Sequence, residues 1–269
     1  MIKIGALSDI HGDDISKIAE DFEDEDLSAV LVNGDICNSS VKKLEKILKP
    51  LSALSVPVLV RTGNMDSSST YTEAMTKVMK NYHNIIDMER KNQFDINGVK
   101  VILSEMLEED FKLSHQSAII DFLGGTYTPT LGPMIVQAHE PPYGYGDVTD
   151  KEIFYMCKRM LKVGSSDSET YDPDNWLLTL GFNHVGKKEL TEKIHKYKPT
   201  AIVFGHIHEN NEIAPPALEI GTGIPVKPGE TVKSLALNTG PAQDGCYAIL
   251  TVDDGKVSYQ LGNGSSYFW

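Results

Sequence analysis

The chain has 269 residues, of which 41% are hydrophobic and 23% charged, a composition typical of globular proteins and not of disordered or fibrous ones. Its formal net charge of −13 repels a phosphate backbone, so we predict that no long nucleic acid is a partner. No apolar run reaches membrane-spanning length, no leader-like segment opens the chain, and the three cysteines are widely spaced, which together predict a cytoplasmic protein without a membrane partner.

The first third of the sequence alternates short apolar runs with amphipathic segments. The apolar runs at 2–7, 29–32 and 57–61 predict buried strands. The segments between them, near 13–22 and 40–54, carry apolar residues at helical spacing. This βαβαβ order predicts parallel strands with right-handed crossovers, and in such sheets ligands bind beyond the carboxyl ends of the strands.

The remainder of the sequence is richer in short strands. Asn97-Gly98 predicts a hairpin turn between strands at 93–96 and 99–104, and a helix near 186–197 precedes a strand at 201–204. The sequence therefore predicts an α/β fold in which two sheets pack face to face with helices outside. Further strands are predicted at 118–123, 134–138, 212–214, 217–220, 234–238, 246–252 and 256–261.

Residues 141–185 fit this alternation poorly. They begin as a turn-rich loop with Tyr143 and Tyr145, continue into a predicted helix near 148–162, and then become polar. We interpret the segment as an excursion within a single domain of residues 1–269. It is expected to lie either near a functional site or at a subunit contact of a homo-oligomer.

Five of the predicted strands end in side chains that bind metals. In extended backbone, residues i and i+2 point the same way, so an Asp-x-His or His-x-His pair can direct two ligands at one point. A dinuclear centre needs a bridging carboxylate, and Asp35, which follows a glycine, is the natural candidate. Mixed imidazole and carboxylate ligands suit Mn, Fe, Zn, Co or Ni, of which we favour Mn. The predicted ligands are Asp9, His11, Asp35, Asn64, His139, His206 and His208.

These fragments resemble, in order and spacing, the five sequence blocks of the calcineurin-like metallophosphoesterase superfamily. The resemblance implies a four-layer α/β/β/α sandwich of two mixed sheets with two divalent metal ions. It also implies that a metal-bridging hydroxide attacks the phosphorus of a small phosphoester substrate. The resemblance assigns Asp35 to both ions. It assigns one ion to Asp9, His11 and His208, and the other to Asn64, His139 and His206.

One position departs from the pattern of the superfamily. A histidine usually follows the asparagine and stabilises the transition state or protonates the leaving oxygen, whereas this chain has Met65, whose thioether transfers no proton. Members with cysteine at this position resemble phosphodiesterases of small esters, so the resemblance favours a phosphodiesterase. Two residues could compensate for the lost histidine: Asp66, which otherwise caps a turn, and His184, which is otherwise structural.

Several interpretations of function stay open at this point. Tyr143 and Tyr145 could stack on a base or ring of the substrate, or they could pack the loop that holds them. The same site could serve a phosphomonoesterase or a nucleotide pyrophosphohydrolase. A protein of this fold could also be a non-catalytic partner-binding module, although all seven ligand positions are filled, which argues against a decayed site.

Overall fold

The computed structural model describes residues 1–37, 41–66, 68–108, 132–150, 182–208 and 215–262. Its helices are α1 (Ser16–Glu23), α2 (Val41–Ser52), α3 (Ser68–Asn81), α4 (Met88–Lys91) and α5 (Lys188–Tyr197), with 3-10 turns at Ser104–Met106 and Ala242–Asp244. Its strands are β1 (Ile2–Leu7), β2 (Ala29–Asn33), β3 (Val58–Arg61), β4 (Ile85–Asp87), β5 (Gln93–Ile96), β6 (Val99–Leu103), β7 (Met134–Gln137), β8 (Val148–Asp150), β9 (Phe182–His184), β10 (Ala201–Phe204), β11 (Ala217–Glu219), β12 (Leu235–Asn238), β13 (Ala248–Asp253) and β14 (Lys256–Leu261).

The first sheet has the strand order β14-β13-β1-β2-β3-β4. Its strands β1 to β4 are parallel, as the alternation of strands and helices in the first third predicts. Strand β13 pairs antiparallel with β1, and β14 pairs antiparallel with β13. The carboxyl ends of β1, β2 and β3 therefore lie side by side at one edge of the sheet.

The second sheet has the order β11-β12-β10-β7-β6-β5. Its four central strands are parallel, and β5 and β11 add antiparallel edges. The hairpin of β5 and β6 turns at Asn97, as predicted, and the φ of Asn97 is 51°. The carboxyl ends of β7 and β10 are neighbours, which places the residues after them close together.

Three apolar layers hold the two sheets and the helices together. Between the sheets, residues such as Leu31 and Ile135 are fully buried in one cluster that draws on both sheets. On the outer side of the first sheet, Phe22 and Leu48 join α1 and α2 to the strands, and on the outer side of the second, Ile194 packs from α5. The predicted α/β fold of two mixed sheets with flanking helices is confirmed.

Several elements differ from the sequence-based expectation. Residues 148–150 form strand β8, paired with β9 across Val148 and His184, so the helix predicted from 148 is wrong at its start. Helix α3 was missed because its serine-rich beginning resembles a turn, although Tyr71, Met75 and Val78 are buried at helical spacing. The predicted strands at 118–123 and 212–214, and residues 151–162, lie outside the described residues. Among the helices of the described ranges, none is long and apolar enough to cross a membrane.

Candidate metal centre

The predicted ligands meet where parallel strands of both sheets end. Hydrogen bonds from backbone nitrogens join the loops after these strands: Asp9 N donates to Gly34 O at 3.0 Å, and His11 N donates to Asp35 O at 2.9 Å. The first sheet contributes the loops after β1, β2 and β3, and the second contributes the loops after β7 and β10. The residues that these loops carry are Asp9 and His11, Asp35, Asn64, His139, and His206 and His208.

Four of these residues have left-handed backbone conformations. The φ angles are 55° for Asp9, 52° for His11, 51° for Asp35 and 71° for His206. Non-glycine residues rarely adopt positive φ, and outside turns such strain is concentrated at functional sites because the surrounding structure must enforce it. The backbone strain therefore points to the same four residues as the sequence motifs do.

The first cluster consists of Asp9, His11 and His208, whose ligand atoms converge within 4.8 Å of one another. Asp9 Oδ2 accepts hydrogen bonds from Ser8 Oγ at 2.6 Å and from the backbone nitrogen of His206 at 2.8 Å. Its Oδ1 is buried, accepts no hydrogen bond from the described part of the chain, and lies 3.4 Å from His208 Nε2. The Nε2 atoms of His11 and His208 are 3.2 Å apart.

The second cluster consists of Asp35, His139 and His206, again with ligand atoms within 4.8 Å. His139 Nδ1 donates to the backbone carbonyl of Asn33 at 2.8 Å, so Nε2 carries the free lone pair of the neutral ring. That Nε2 lies 2.8 Å from Asn64 Oδ1 and 3.4 Å from Asp35 Oδ2. The second predicted set, including Asn64, is thus brought together.

Burial and neighbouring charges shift the pKa values of residues in both clusters. Burial by itself lowers the pKa of His139, but its hydrogen bond to Asp35 and the charges of Asp35 and Asp9 outweigh burial and raise that pKa. Burial and the neighbouring His139 lower the pKa of His206. Burial by itself raises the pKa of Asp9, but the neighbouring His208 ring, the charge of His139 and the Ser8 hydroxyl more than offset it, so that pKa is lowered.

The donor atoms fit divalent metal ions. In each cluster a carboxylate oxygen lies close to two imidazole rings, and a neutral imidazole has one nitrogen with a free lone pair. A positive charge between these atoms would stabilise the group, and the buried Asp9 Oδ1 accepts no hydrogen bond from the described residues, so it is suited to ligate a metal ion. Nitrogen and carboxylate donors suit Mn, Fe, Zn, Co and Ni. Joint coordination of two ions by Asp35 stays a prediction.

Asp66 connects two of the ligand loops. This carboxylate, which is 7% exposed, accepts hydrogen bonds from the backbone nitrogens of Ile36 at 3.1 Å, Cys37 at 3.2 Å and Gly63 at 3.0 Å. Those nitrogens follow Asp35 and precede Asn64 in the chain. Asp66 therefore has its turn-capping role, and it positions two predicted ligands through their backbone.

We expect Asp66→Ala to destabilise the fold, because it removes the acceptor of two buried backbone nitrogens and one part-buried one. The loss in the free energy of unfolding should be about 2 kcal/mol, measured by urea denaturation of the metal-free protein. Asp95→Ala is the matched control, since this carboxylate is exposed and accepts a hydrogen bond from Gly98 N in a surface turn. Equal stability losses in the two variants would contradict the connecting role.

The other three predicted site residues lie around the loop that follows β7. Tyr145 is 5% exposed; its hydroxyl accepts from Gly221 N at 3.0 Å and lies 2.7 Å from His195 Nε2. Tyr145 therefore packs the loop that holds it, and its predicted substrate contact stays a prediction. Tyr143 is half-buried, with its ring centroid 5.1 Å from that of His184, and its substrate contact stays a prediction.

Two polar residues near the centre were missed by sequence reasoning. The side-chain amide of Asn238 donates to Gly146 O at 3.1 Å and to Ile207 O at 3.2 Å, which ties the Tyr145 loop to the loop of His206 and His208. Asn238 ends strand β12 as the predicted ligands end theirs, so a signal existed. Asp147, which bonds to His184, carries no sequence signal of its own.

Comparison with known proteins agrees with this geometry. The sequence profile of the family described as calcineurin-like phosphoesterase matches residues 2–210. The chain belongs to the calcineurin-like phosphoesterase family. No curated protein matches it by sequence.

Solved structures share the fold of this calcineurin-like chain. A crystal structure of TT1561 from Thermus thermophilus is 14% identical, with a TM-score of 0.61 over 98% of this chain and 99% of that one. Purple acid phosphatase PPD1 from yellow lupin seeds is 13% identical, with a TM-score of 0.57 over 99% of this chain but 52% of its own. At such identities the likeness concerns the fold. Family membership and the two clusters support metal-dependent phosphoester hydrolysis with two divalent ions.

Proposed function

We propose that this chain is a phosphodiesterase that hydrolyses small diesters with the help of two divalent metal ions. The observation that carries the proposal is the residue after Asn64. The backbone N–H of Met65 donates a hydrogen bond to Asp35 Oδ1 at 2.8 Å, and the residue is 45% exposed. The exposed Met65 is therefore joined through its backbone to the second cluster, at the chain position where most members of the superfamily have a histidine.

Some residues would hold the metal ions, and others orient the ligands. Bound metal ions would polarise the phosphoryl oxygens and lower the pKa of a water molecule. Asp9, His11 and His208 would hold one ion, while Asn64, His139 and His206 would hold the other, with Asp35 between them. The carbonyl of Asn33 fixes the tautomer of His139, and Ser8 and the His206 amide fix the orientation of Asp9.

The missing imidazole at position 65 favours esters whose leaving group needs little protonation. A diester with a nitrophenyl leaving group expels a weakly basic nitrophenolate, whereas an alkyl phosphomonoester expels a strongly basic alkoxide, which Met65 cannot protonate. The acidic balance of the chain also favours small substrates over long nucleic acids, because a negative surface repels a polymer of phosphates.

We expect the manganese-loaded wild type to hydrolyse bis(4-nitrophenyl) phosphate faster than ethyl phosphate by about 100-fold or more, the scale on which protonation of a strongly basic leaving oxygen changes a rate. Met65→His should narrow this difference by raising the rate on ethyl phosphate. Met65→Leu, which removes the sulfur but adds no proton donor, is the matched control. A wild type that prefers ethyl phosphate would favour the phosphomonoesterase, and one that prefers a nucleotide pyrophosphate would favour the pyrophosphohydrolase.

Further predictions concern the location, the domain organisation and the oligomeric state of the protein. A cytoplasmic location, a single domain over residues 1–269 and a homo-oligomer with the 141–185 segment at its contact stay predictions. Within that segment, the described residues 141–150 and 182–185 adjoin the loop after His139, which supports our proposal that the segment lies near the site.

A further inference from the structure

Asp147 and His184 form a carboxylate–imidazole pair outside the seven predicted metal ligands. Asp147 is fully buried, and its Oδ1 lies 2.6 Å from His184 Nδ1 while its Oδ2 accepts from Gly186 N at 2.9 Å. Because a carboxylate accepts, Nδ1 of His184 carries the hydrogen, and Nε2 is the atom that can gain or lose a proton. The pair therefore has the construction of an oriented proton-transfer group.

The pair is fixed to the loop that begins at His139. The backbones of 141–143 and 187 exchange hydrogen bonds: Lys187 N donates to Pro141 O at 2.9 Å, and Tyr143 N donates to Lys187 O at 3.3 Å. A Cβ at Gly186 would lie 2.6 Å from Pro142 O, so only glycine allows this approach. The segment carrying His184 is thus packed against residues two to four positions after a predicted ligand.

A second connection leads to the first cluster. The side-chain amide of Asn238 donates hydrogen bonds to the carbonyls of Gly146 and Ile207. Gly146 precedes Asp147, and Ile207 lies between His206 and His208. Asn238 is fully buried, so this junction is rigid. Two independent contacts therefore place the pair beside the strand ends at which the predicted ligands lie.

The ring of His184 is partly exposed. Its side chain is 20% exposed although its partner carboxylate is completely buried. Tyr143 flanks the ring at 5.1 Å between centroids, and Lys188 Nζ lies 4.9 Å from the centroid of the Tyr143 ring. The imidazole thus keeps part of its surface accessible while Asp147 holds its Nδ1.

We propose that His184, positioned by Asp147, protonates the leaving oxygen of the substrate in place of the histidine that Met65 replaces. The proposal rests on the phosphodiesterase function above. A water oxygen bonds to phosphorus and releases a proton, while the bond to the leaving oxygen breaks and leaves its electron pair there. That oxygen takes the Nε2 proton, and the neutral ring then regains a proton from solvent.

The test compares two substrates that differ in the basicity of the leaving group, ethyl 4-nitrophenyl phosphate and ethyl phenyl phosphate, with manganese-loaded full-length protein. In His184→Ala we expect kcat to fall about 100-fold for the phenyl ester and less than about 5-fold for the nitrophenyl ester, which needs little protonation. His184→Asn keeps a donor for Asp147 but has no transferable proton, and it should show the same unequal loss. Asp147→Asn should lower kcat less than the His184 variants do, again with a larger loss for the phenyl ester than for the nitrophenyl ester.

Controls separate this role from a structural one and from the function itself. His83→Ala, an exposed histidine, should leave both rates unchanged, and metal content should stay at the wild-type ratio in all four variants. Equal losses on both esters in His184→Asn, or none, would overturn the proton-donor role while leaving the phosphodiesterase intact. A wild type that cleaves neither ester would overturn both proposals.

Discussion

Asp35→Asn should abolish hydrolysis while leaving the fold intact. The carboxylate has one oxygen bonded to Met65 N at 2.8 Å and the other 3.4 Å from His139 Nε2, so the amide keeps the first contact and loses the negative charge at the second. We expect kcat/KM to fall on the order of 10³-fold or more, the scale at which single transition-state groups act. Metal analysis after reconstitution with Mn should give fewer than two ions per chain.

The matched control for this change is Asp254→Asn. Asp254 is exposed and has a φ of 47°, close to the 51° of Asp35, so both variants place asparagine in a left-handed conformation that it tolerates. The control should keep full activity and two ions. If Asp35→Asn retains both ions and most of its activity, Asp35 does not bridge the metals; a wild type that binds fewer than one ion would contradict the dinuclear centre as a whole.

Gly205→Ala should damage both the stability of the protein and its first cluster. Gly205 precedes His206, and a Cβ at this position would collide with the Ser8 hydroxyl and with Asp9 Oδ2, two atoms that are bonded to each other. Neither atom can withdraw without breaking the hydrogen bonds that orient Asp9. We expect a loss of about 3 kcal/mol in the free energy of unfolding, the upper range for overpacking, together with weaker metal binding.

Thermal or urea denaturation of the metal-free protein measures the loss of stability in Gly205→Ala, and titration with Mn measures the loss of metal affinity. Gly132→Ala is the control, because among the described residues its Cβ would meet the carbonyl of Gly98 at 3.1 Å, at the opposite end of β7 from His139. If Gly205→Ala is as stable as Gly132→Ala, the predicted collision with Ser8 and Asp9 is wrong.

Much of the centre was predictable because its ligands obey a local rule. Strand β1 ends before Asp9 and strand β10 ends before His206, and in each case the apolar run and the polar residue after it are close together in the sequence. Parallel pairing then requires the ends of such strands to meet. The same rule places Asp35 and His139, and the two clusters divide these residues as the sequence blocks suggest.

Residues that act through long-range contacts could not be predicted in this way. Asp147 bonds to His184, 37 positions later, and the amide of Asn238 reaches Gly146, 92 positions earlier. Tyr145 stands in the same loop as Tyr143 and has the same residue type, yet its burial against His195 gives it a packing role. No local sequence pattern distinguishes the two tyrosines, because they differ only in what packs against them in the folded chain.

The sequence by itself therefore determined the α/β alternation and the seven candidate ligands, since each follows from residue type and spacing along the chain, while its resemblance to the superfamily indicated that Met65 replaces the usual histidine. Only the tertiary structure decided that Asp66 caps the loops of Asp35 and Asn64, and that Asp147 orients His184. The reason is physical: a hydrogen bond or a buried charge depends on which segments meet, and that meeting is a property of the folded chain.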